Sequence, residues 1–234
     1  MSNHSPGWPP VIELRQYTLH PGRRDALIAL FEREFIEPQL ALGMQLPGIF
    51  RDLDDPDRFV WLRGFADMPA RARSLAAFYG GPVWQQHRDA ANATMIDSDD
   101  VLLLRPALAF DAPAAAPVRS SGLVTATVCP LGSPADDALV QVWRHTMAPL
   151  WSDAGAELLS CLVTESAPNN FPRLPVREGE QVMAWFARFG SAEVERSHAA
   201  ALARSTTWSA WCERLAAPAQ RLRLAPTDRS ALQA

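Results

Sequence analysis

Hydrophobic and polar positions alternate from Val11 to Leu19, the period of a strand. Ile12, Leu14, Gln16 and Thr18 share one face; Glu13, Arg15 and Tyr17 share the other with Val11 and Leu19. Pro21-Gly22 ends the strand, and the spacing of Ala26, Leu27, Leu30, Phe31 and Phe35 then predicts a helix. Strands are predicted over Gly48–Leu53 and Phe59–Ala66, joined by the turn Asp54–Asp57. Asp67 with Pro69 opens a helix, a second helical piece covers Val83–Thr94, and Val101–Pro106 is a closing strand. The order is β-α-β-β-α-β, the ferredoxin-like pattern.

Residues 107–121, rich in Ala and Pro, have the composition of a linker. The same order then returns. Gly122–Gly132 is a strand and Ser133–Trp151 a capped helix. Ala156–Thr164 and Gln181–Phe189 are strands, 191–215 is helical, and Arg221–Thr227 is the last strand. Trp61 and Phe65 fall on Trp185 and Phe189, Trp84 on Trp208, Pro106 on Pro226 and Gly22 on Gly132. Landmarks in this order mark a tandem duplication. The predicted boundaries are a disordered tail over 1–10, units over 11–107 and 121–227, a linker over 108–120 and a tail over 228–234. A four-stranded sheet with helices on one face leaves an apolar face to bury, and packing the two sheets together buries it. The expected fold is α+β: two tandem ferredoxin-like units forming a pseudo-symmetric dimeric α+β barrel.

Composition narrows the function. Of 234 residues, 48% are apolar and 21% charged, and the net charge of −4 offers no footprint for nucleic acid or an anionic membrane. All 22 basic residues are arginine, as a genome rich in G and C favours, so Schiff-base chemistry and lysine phosphate loops are excluded. Three widely spaced cysteines in apolar runs argue against a disulfide framework and for a reducing, cytoplasmic setting. No apolar run has the length of a membrane span. The histidines and cysteines form no metal-ligand spacing, and there is no Gly-rich phosphate loop, so no metal and no cofactor are expected.

The segments "IELRQYTLHPGRRDALIALFE", "FVWLRGFADMPARARS", "YGGPVWQQH" and "VLLLRPA" resemble the NIPSNAP family of the dimeric α+β barrel superfamily. Its members open on a similar E-L-R-x-Y…P-G segment and carry a W-x-x-x-P/G-x-W-like stretch on the second helix. The resemblance covers the first half closely and the second in layout. It implies the barrel and a homodimeric or duplicated assembly, with no single reaction attached; related barrels include cofactor-free monooxygenases, isomerases, dehydratases and haem-degrading enzymes.

Glu13, Arg15 and Tyr17 share a face, and Phe59, Trp61, Arg63 and Phe65 share one on the third strand, which neighbours the first in this fold. Arg63 is therefore expected near Glu13 or Arg15. Two readings stand. In one, an internal Glu–Arg network fixes the barrel's register, and the protein is a non-catalytic scaffold or protein-interaction module. In the other, an aromatic cavity holds a polar patch: Arg15 or Arg63 grips a carboxylate or enolate, Glu13 moves a proton and Tyr17 donates a hydrogen bond. His87, three residues after Trp84, joins the candidates as an acid or base or as a surface residue; Trp61, Phe65, Tyr79 and Trp84 are the candidate substrate-binding residues, Tyr79 having a core-anchor reading as well. The repeat alignment sets Glu13, Arg15 and Tyr17 on Leu123, Thr125 and Thr127, Arg63 on Ala187 and His87 on Trp211, so one site per chain is expected, in the first half. Its ligand would be a small organic molecule, anionic in character, and the assembly a homodimer.

Overall fold

A computed structural model describes residues 7–108 and 122–234; the predicted linker lies outside them except for Leu108, as do the first six residues of the predicted N-terminal tail. Eight strands form one closed barrel: β1 (Val11–Leu19), β2 (Gln45–Asp52), β3 (Arg58–Phe65), β4 (Met95–Pro106), β5 (Leu123–Leu131), β6 (Glu157–Thr164), β7 (Gln181–Phe189) and β8 (Gln220–Pro226). The first unit contributes the order β4-β1-β3-β2 and the second β6-β7-β5-β8. They join through antiparallel seams, Phe50 opposite Pro226 on one side and Arg105 opposite Val163 on the other. Both edges of each ferredoxin-like sheet are thus paired within the chain, and among the described residues no strand edge is left open to template aggregation.

Strand alternation sends Ile12 and Leu14 into the barrel with Val60, Leu62, Leu102, Leu104, Val124, Ala126 and Phe186. These side chains fill the eight-stranded interior, and each fully buried Val, Leu, Ile or Phe stabilises the fold by about 1.5–3 kcal/mol. Gln16 and Gln220 exchange amide hydrogen bonds of 3.1 and 3.0 Å across one end. The other end is closed by Trp8, packed on Phe186 and donating Nε1–H to the Leu159 carbonyl at 2.6 Å, and by Leu232 and Ala234. Residues 7–10 and 228–234, expected as tails, therefore form part of the core's closure. Ser230 holds the second of these segments, accepting from the Ile49 amide at 3.0 Å.

The helices cover the outer face. In the first unit they are α1 (Arg24–Leu30), α2 (Ile36–Ala41), α3 (Met68–Gly80) and α4 (Pro82–Asn92); in the second, α5 (Asp137–Val142), α6 (Ala148–Asp153), α7 (Ala192–Ala203) and α8 (Thr206–Cys212). The predicted continuous helix over 191–215 is two helices, because the Ser205 side chain accepts from the Trp208 amide and starts a new one. Single π-helical turns, Phe31–Phe35 and Trp143–Met147, link α1 to α2 and α5 to α6. A proline follows each within a turn (Pro38, Pro149); lacking an N–H, it cannot complete the α-helical ladder behind it. Each helix then stops at a glycine with positive φ, Gly43 at 79° and Gly155 at 93°, a conformation open to residues without a Cβ.

The registers correct the repeat alignment. Arg15 lies opposite Trp61 as Thr127 lies opposite Trp185, and Glu13 opposite Arg63 as Thr125 lies opposite Ala187. The counterparts of Glu13, Arg15 and Tyr17 are Thr125, Thr127 and Cys129, two residues on from the alignment made on sequence. A shift of two keeps every side chain on its face, so face patterns alone do not reveal it.

Candidate functional site

The odd-numbered face of β1 points outward, beneath the helices of the first unit. Glu13 and Arg63 are direct cross-strand partners on the two central strands, and both are fully buried. Arg63 grips Glu13 Oε2 through Nη2 at 2.6 Å and Nε at 2.8 Å, and Arg15 Nη1 reaches the same oxygen at 2.9 Å. From α3, Arg71 donates Nε–H to Oε1 at 2.8 Å, with Nη2 in an ion pair at 2.7 Å. Three guanidiniums thus surround one carboxylate, a surplus of two positive charges. Among the described residues no second carboxylate pairs with them. Neutral acceptors complete their shells: the Tyr17 hydroxyl and Ser98 carbonyl for Arg15, the Tyr79 hydroxyl and Gln39 for Arg63, and Asn169 and Asn170 for Arg71. The Arg63 guanidinium also sits 5.0 Å from the Trp61 ring centre.

Burial pushes the Glu13 carboxyl up, but Arg63, Arg15 and Arg71 outweigh it and hold the group at about 2. Burial pulls Arg63 down and Glu13 pulls it up further, so it stays charged. Arg71 ends below the usual arginine range, because its burial exceeds what Glu13 returns. Burial raises Tyr17 against the pull of Arg15, so its phenol keeps its proton.

Beside the cluster lies a cavity of about 30 Å³, lined by Tyr17, Trp61, Tyr79, Trp84, Gln39 and the phenyl rings of Phe31, Phe35 and Phe78 among others. That volume holds one or two waters. Its polar atoms are mainly donors. Tyr17 and Tyr79 accept from arginines with their hydroxyl oxygens, and their own hydrogens meet no acceptor among the described residues. Trp61 Nε1 is buried without a partner. Tyr79 and Trp84, 4.8 Å apart at their ring centres, separate this cavity from an outer pocket of about 270 Å³ walled by α4 and the β6–β7 connection.

Glu13, Arg15, Tyr17 and Arg63 are therefore one cluster, and Trp61, Tyr79 and Trp84 line its cavity. Phe65 packs 5.8 Å from Arg63 and does not reach the cavity wall. His87 is set apart: its Nε2 is 3.5 Å from Glu34 on the outside of the helical layer. Sequence reasoning missed Arg71, Gln39 and Asn169–Phe171. Arg71 shares a helical face with Leu75, Phe78 and Tyr79, a spacing that marks it as inward-facing. Asn169 and Asn170 carried no such signal, since they come from the other unit.

In the second unit the equivalent space is aromatic. Trp185 meets the rings of Trp143, Trp151, Trp208 and Trp211 at 5.3–6.4 Å. The polar set is displaced rather than gone, which amends its expected loss: Glu195 on α7 pairs with Arg221 and Arg223 on β8 at 2.9 and 3.1 Å, nearer the surface. His198, fully buried against Trp151, is pulled down to about 4 by burial and by Arg221.

Residues 12–109 match the NIPSNAP family model. The first unit is a NIPSNAP domain. Among solved structures, a NIPSNAP-like domain protein from Burkholderia xenovorans is 28% identical over 40% of this chain and 81% of its own, with a TM-score of 0.37. Two others span both the NIPSNAP domain and the second unit. An anthrone oxidase-like protein covers 96% of this chain and 95% of its own at a TM-score of 0.59 and 12% identity. A protein from Lactobacillus acidophilus NCFM, provisionally named a monooxygenase, covers 93% of this chain and 94% of its own at 0.56 and 12%. At that identity the likeness is one of fold. No curated protein matches the chain. Among the described residues no helix is long and apolar enough to cross a membrane, and no three His, Cys, Asp or Glu side chains group to hold a metal ion.

Proposed function

We propose that the NIPSNAP domain binds a small aromatic anion, an enolate or phenolate, admitting only its oxygen to the inner cavity, whose volume of about 30 Å³ has no room for a ring. The carrying observation is the imbalance of the buried cluster: three guanidiniums on one carboxylate, beside a cavity in which the acceptor oxygens of Tyr17, Tyr79 and Gln39 are taken by arginines and the free polar hydrogens are those of Tyr17, Tyr79 and Trp61. Buried positive charge without a counter-ion is costly, and an anionic ligand removes that cost. Tyr17, Tyr79 and Trp61 would direct their hydrogens at its oxygen, while Arg15, Arg63 and Arg71 act through the field. Donors fixed before the ligand arrives favour a charge that develops during reaction, so a step forming such an anion would be accelerated. The oxidative names of two fold neighbours fit this chemistry, because oxygen attacks carbanions and phenolates.

In this reading Glu13 is not the base. Both of its oxygens are engaged by arginines, and at about 2 its carboxylate is too weak a base to take a proton near neutral pH. Its part is to anchor the guanidiniums. His87 has no part, since its ring lies outside the cavity wall. Because the chain closes its own barrel, the homodimer expected from sequence would have to use another surface.

A second reading has its own observation. Every oxygen of Glu13 is paired and the cavity is only about 30 Å³, as suits a lock between sheet and helices. Equilibrium dialysis with 4-nitrophenolate and the similarly sized neutral 4-nitroanisole separates the two. Anion binding predicts at least tenfold preference for the phenolate. Equal binding, or none, favours the lock.

A further inference from the structure

The 270 Å³ outer pocket belongs to both units. Tyr79, Trp84 and Arg88 come from the first; Phe171, Arg173 and Leu174 come from the β6–β7 connection of the second. That connection is much longer than its counterpart between β2 and β3, and it is fastened onto the first unit. Asn170 Nδ2 donates to the Met68 carbonyl at 2.6 Å, and both asparagines accept from Arg71. Phe171 stacks on Tyr79 at 6.1 Å with the rings 27° apart. The aromatic walls Tyr79, Trp84 and Phe171 suit a flat ring, and the volume lies near the lower limit for small-ligand sites.

Two arginines flank these walls. Arg173 is exposed and has no hydrogen bond or ion pair among the described residues. Arg88 is half exposed, and its one acid contact, Asp89 at 3.4 Å, is a solvent-facing pair of little strength. Among the described residues no acidic side chain lines the pocket. Tyr79 and Trp84 are its inner wall and the outer wall of the donor cavity at once.

The geometry points to a second anion subsite: the outer pocket takes the carboxylate of an aryl carboxylic acid between Arg88 and Arg173. The ring lies along Tyr79, Trp84 and Phe171, and the ligand's hydroxyl or enol end faces the Tyr79–Trp84 partition, whose rings part to let it reach the inner donors. This rests on the anion-binding reading of the inner cavity and deepens it, assigning the substrate class as a hydroxylated aryl acid. It also gives the second unit a function, that of supplying the specificity wall for a site in the first.

The test uses the full chain and three probes followed by quenching of protein fluorescence: 6-hydroxy-2-naphthoate, its methyl ester and 2-naphthol. The wild type is compared with a double variant, Arg88→Gln with Arg173→Gln, at exposed positions that leave the fold intact. The expected result is a carboxylate bound at least tenfold tighter than the ester, with the advantage lost in the double variant and ester affinity unchanged. A carboxylate and ester of equal affinity overturn the outer subsite, as does an advantage that survives the double variant. If ester and 2-naphthol fail to bind while the acid binds through Arg88 and Arg173, the outer subsite stands and the inner reading falls. If none of the three binds, both fall.

Discussion

Replacing Glu13 by Gln removes one charge with almost no change in shape, and leaves Arg15, Arg63 and Arg71 buried without a counter-ion. Removing one partner of a buried ion pair costs about 3–5 kcal/mol. An independent route gives a similar size. The Glu13 carboxyl lies at about 2 in the folded protein, against about 4.3 for an unfolded chain, and about 1.4 kcal/mol per unit gives about 3 kcal/mol. Because the folded value is depressed, this stabilisation is complete above the unfolded value and is lost as pH falls through the folded one. Urea denaturation followed by tryptophan fluorescence should therefore place Glu13→Gln about 3 kcal/mol below the wild type at pH 7. The gap should narrow as pH falls from about 4 toward 2. A total stability of about 5–15 kcal/mol makes this easily measured. A difference under about 1 kcal/mol at pH 7, or one indifferent to acid, would refute the electrostatic account of the cluster.

Other outcomes follow from the same contacts. Tyr17→Phe and Tyr79→Phe each remove a donor to the ligand's oxygen, so affinity for 4-nitrophenolate should fall about tenfold per substitution by dialysis, the size of a hydrogen bond to a charged group; an unchanged affinity counts against the inner donors. His198, pulled down to about 4, stays neutral in the folded protein while the unfolded chain takes up its proton below about 6.5. Stability should thus decline by about 2 kcal/mol between pH 7 and pH 5, and His198→Phe should flatten that decline in urea titrations at those two pH values. Trp8→Ala opens one end of the barrel and should cost about 2 kcal/mol in urea, less than a fully buried aromatic; a cost below about 0.5 kcal/mol would mean that Trp8 closes nothing.

The barrel was legible because each unit states its order twice, in period and in turn chemistry, and because two sheets with one apolar face each have one economical way to hide them. The Glu13–Arg63 contact was legible for a local reason: alternation fixes the face and the fold fixes the neighbouring strand. Arg71 was visible in principle, as a charge in register with Leu75 and Phe78, but a helix whose Arg73 lies two residues away hides which arginine turns inward. Asn169, Asn170 and Phe171 were not legible at all. Their partners are about a hundred residues away in another unit, and no local period reports such a contact. The two-residue slip in the repeat alignment has a similar origin, since a strand's side-chain pattern repeats every second residue. Trp8 was hidden by a flank of Pro, Gly and Ser that reads as a tail.

The surplus of positive charge under the helices of the NIPSNAP domain is what the proposed ligand binding rests on. Visible absorbance of 4-nitrophenol reports its ionisation directly, so a pH titration of the bound molecule measures that field at the point where it acts. Three guanidiniums against one carboxylate predict that the bound phenol ionises about one to three units below the free one. A bound phenol that ionises at its solution value or above it would contradict the account.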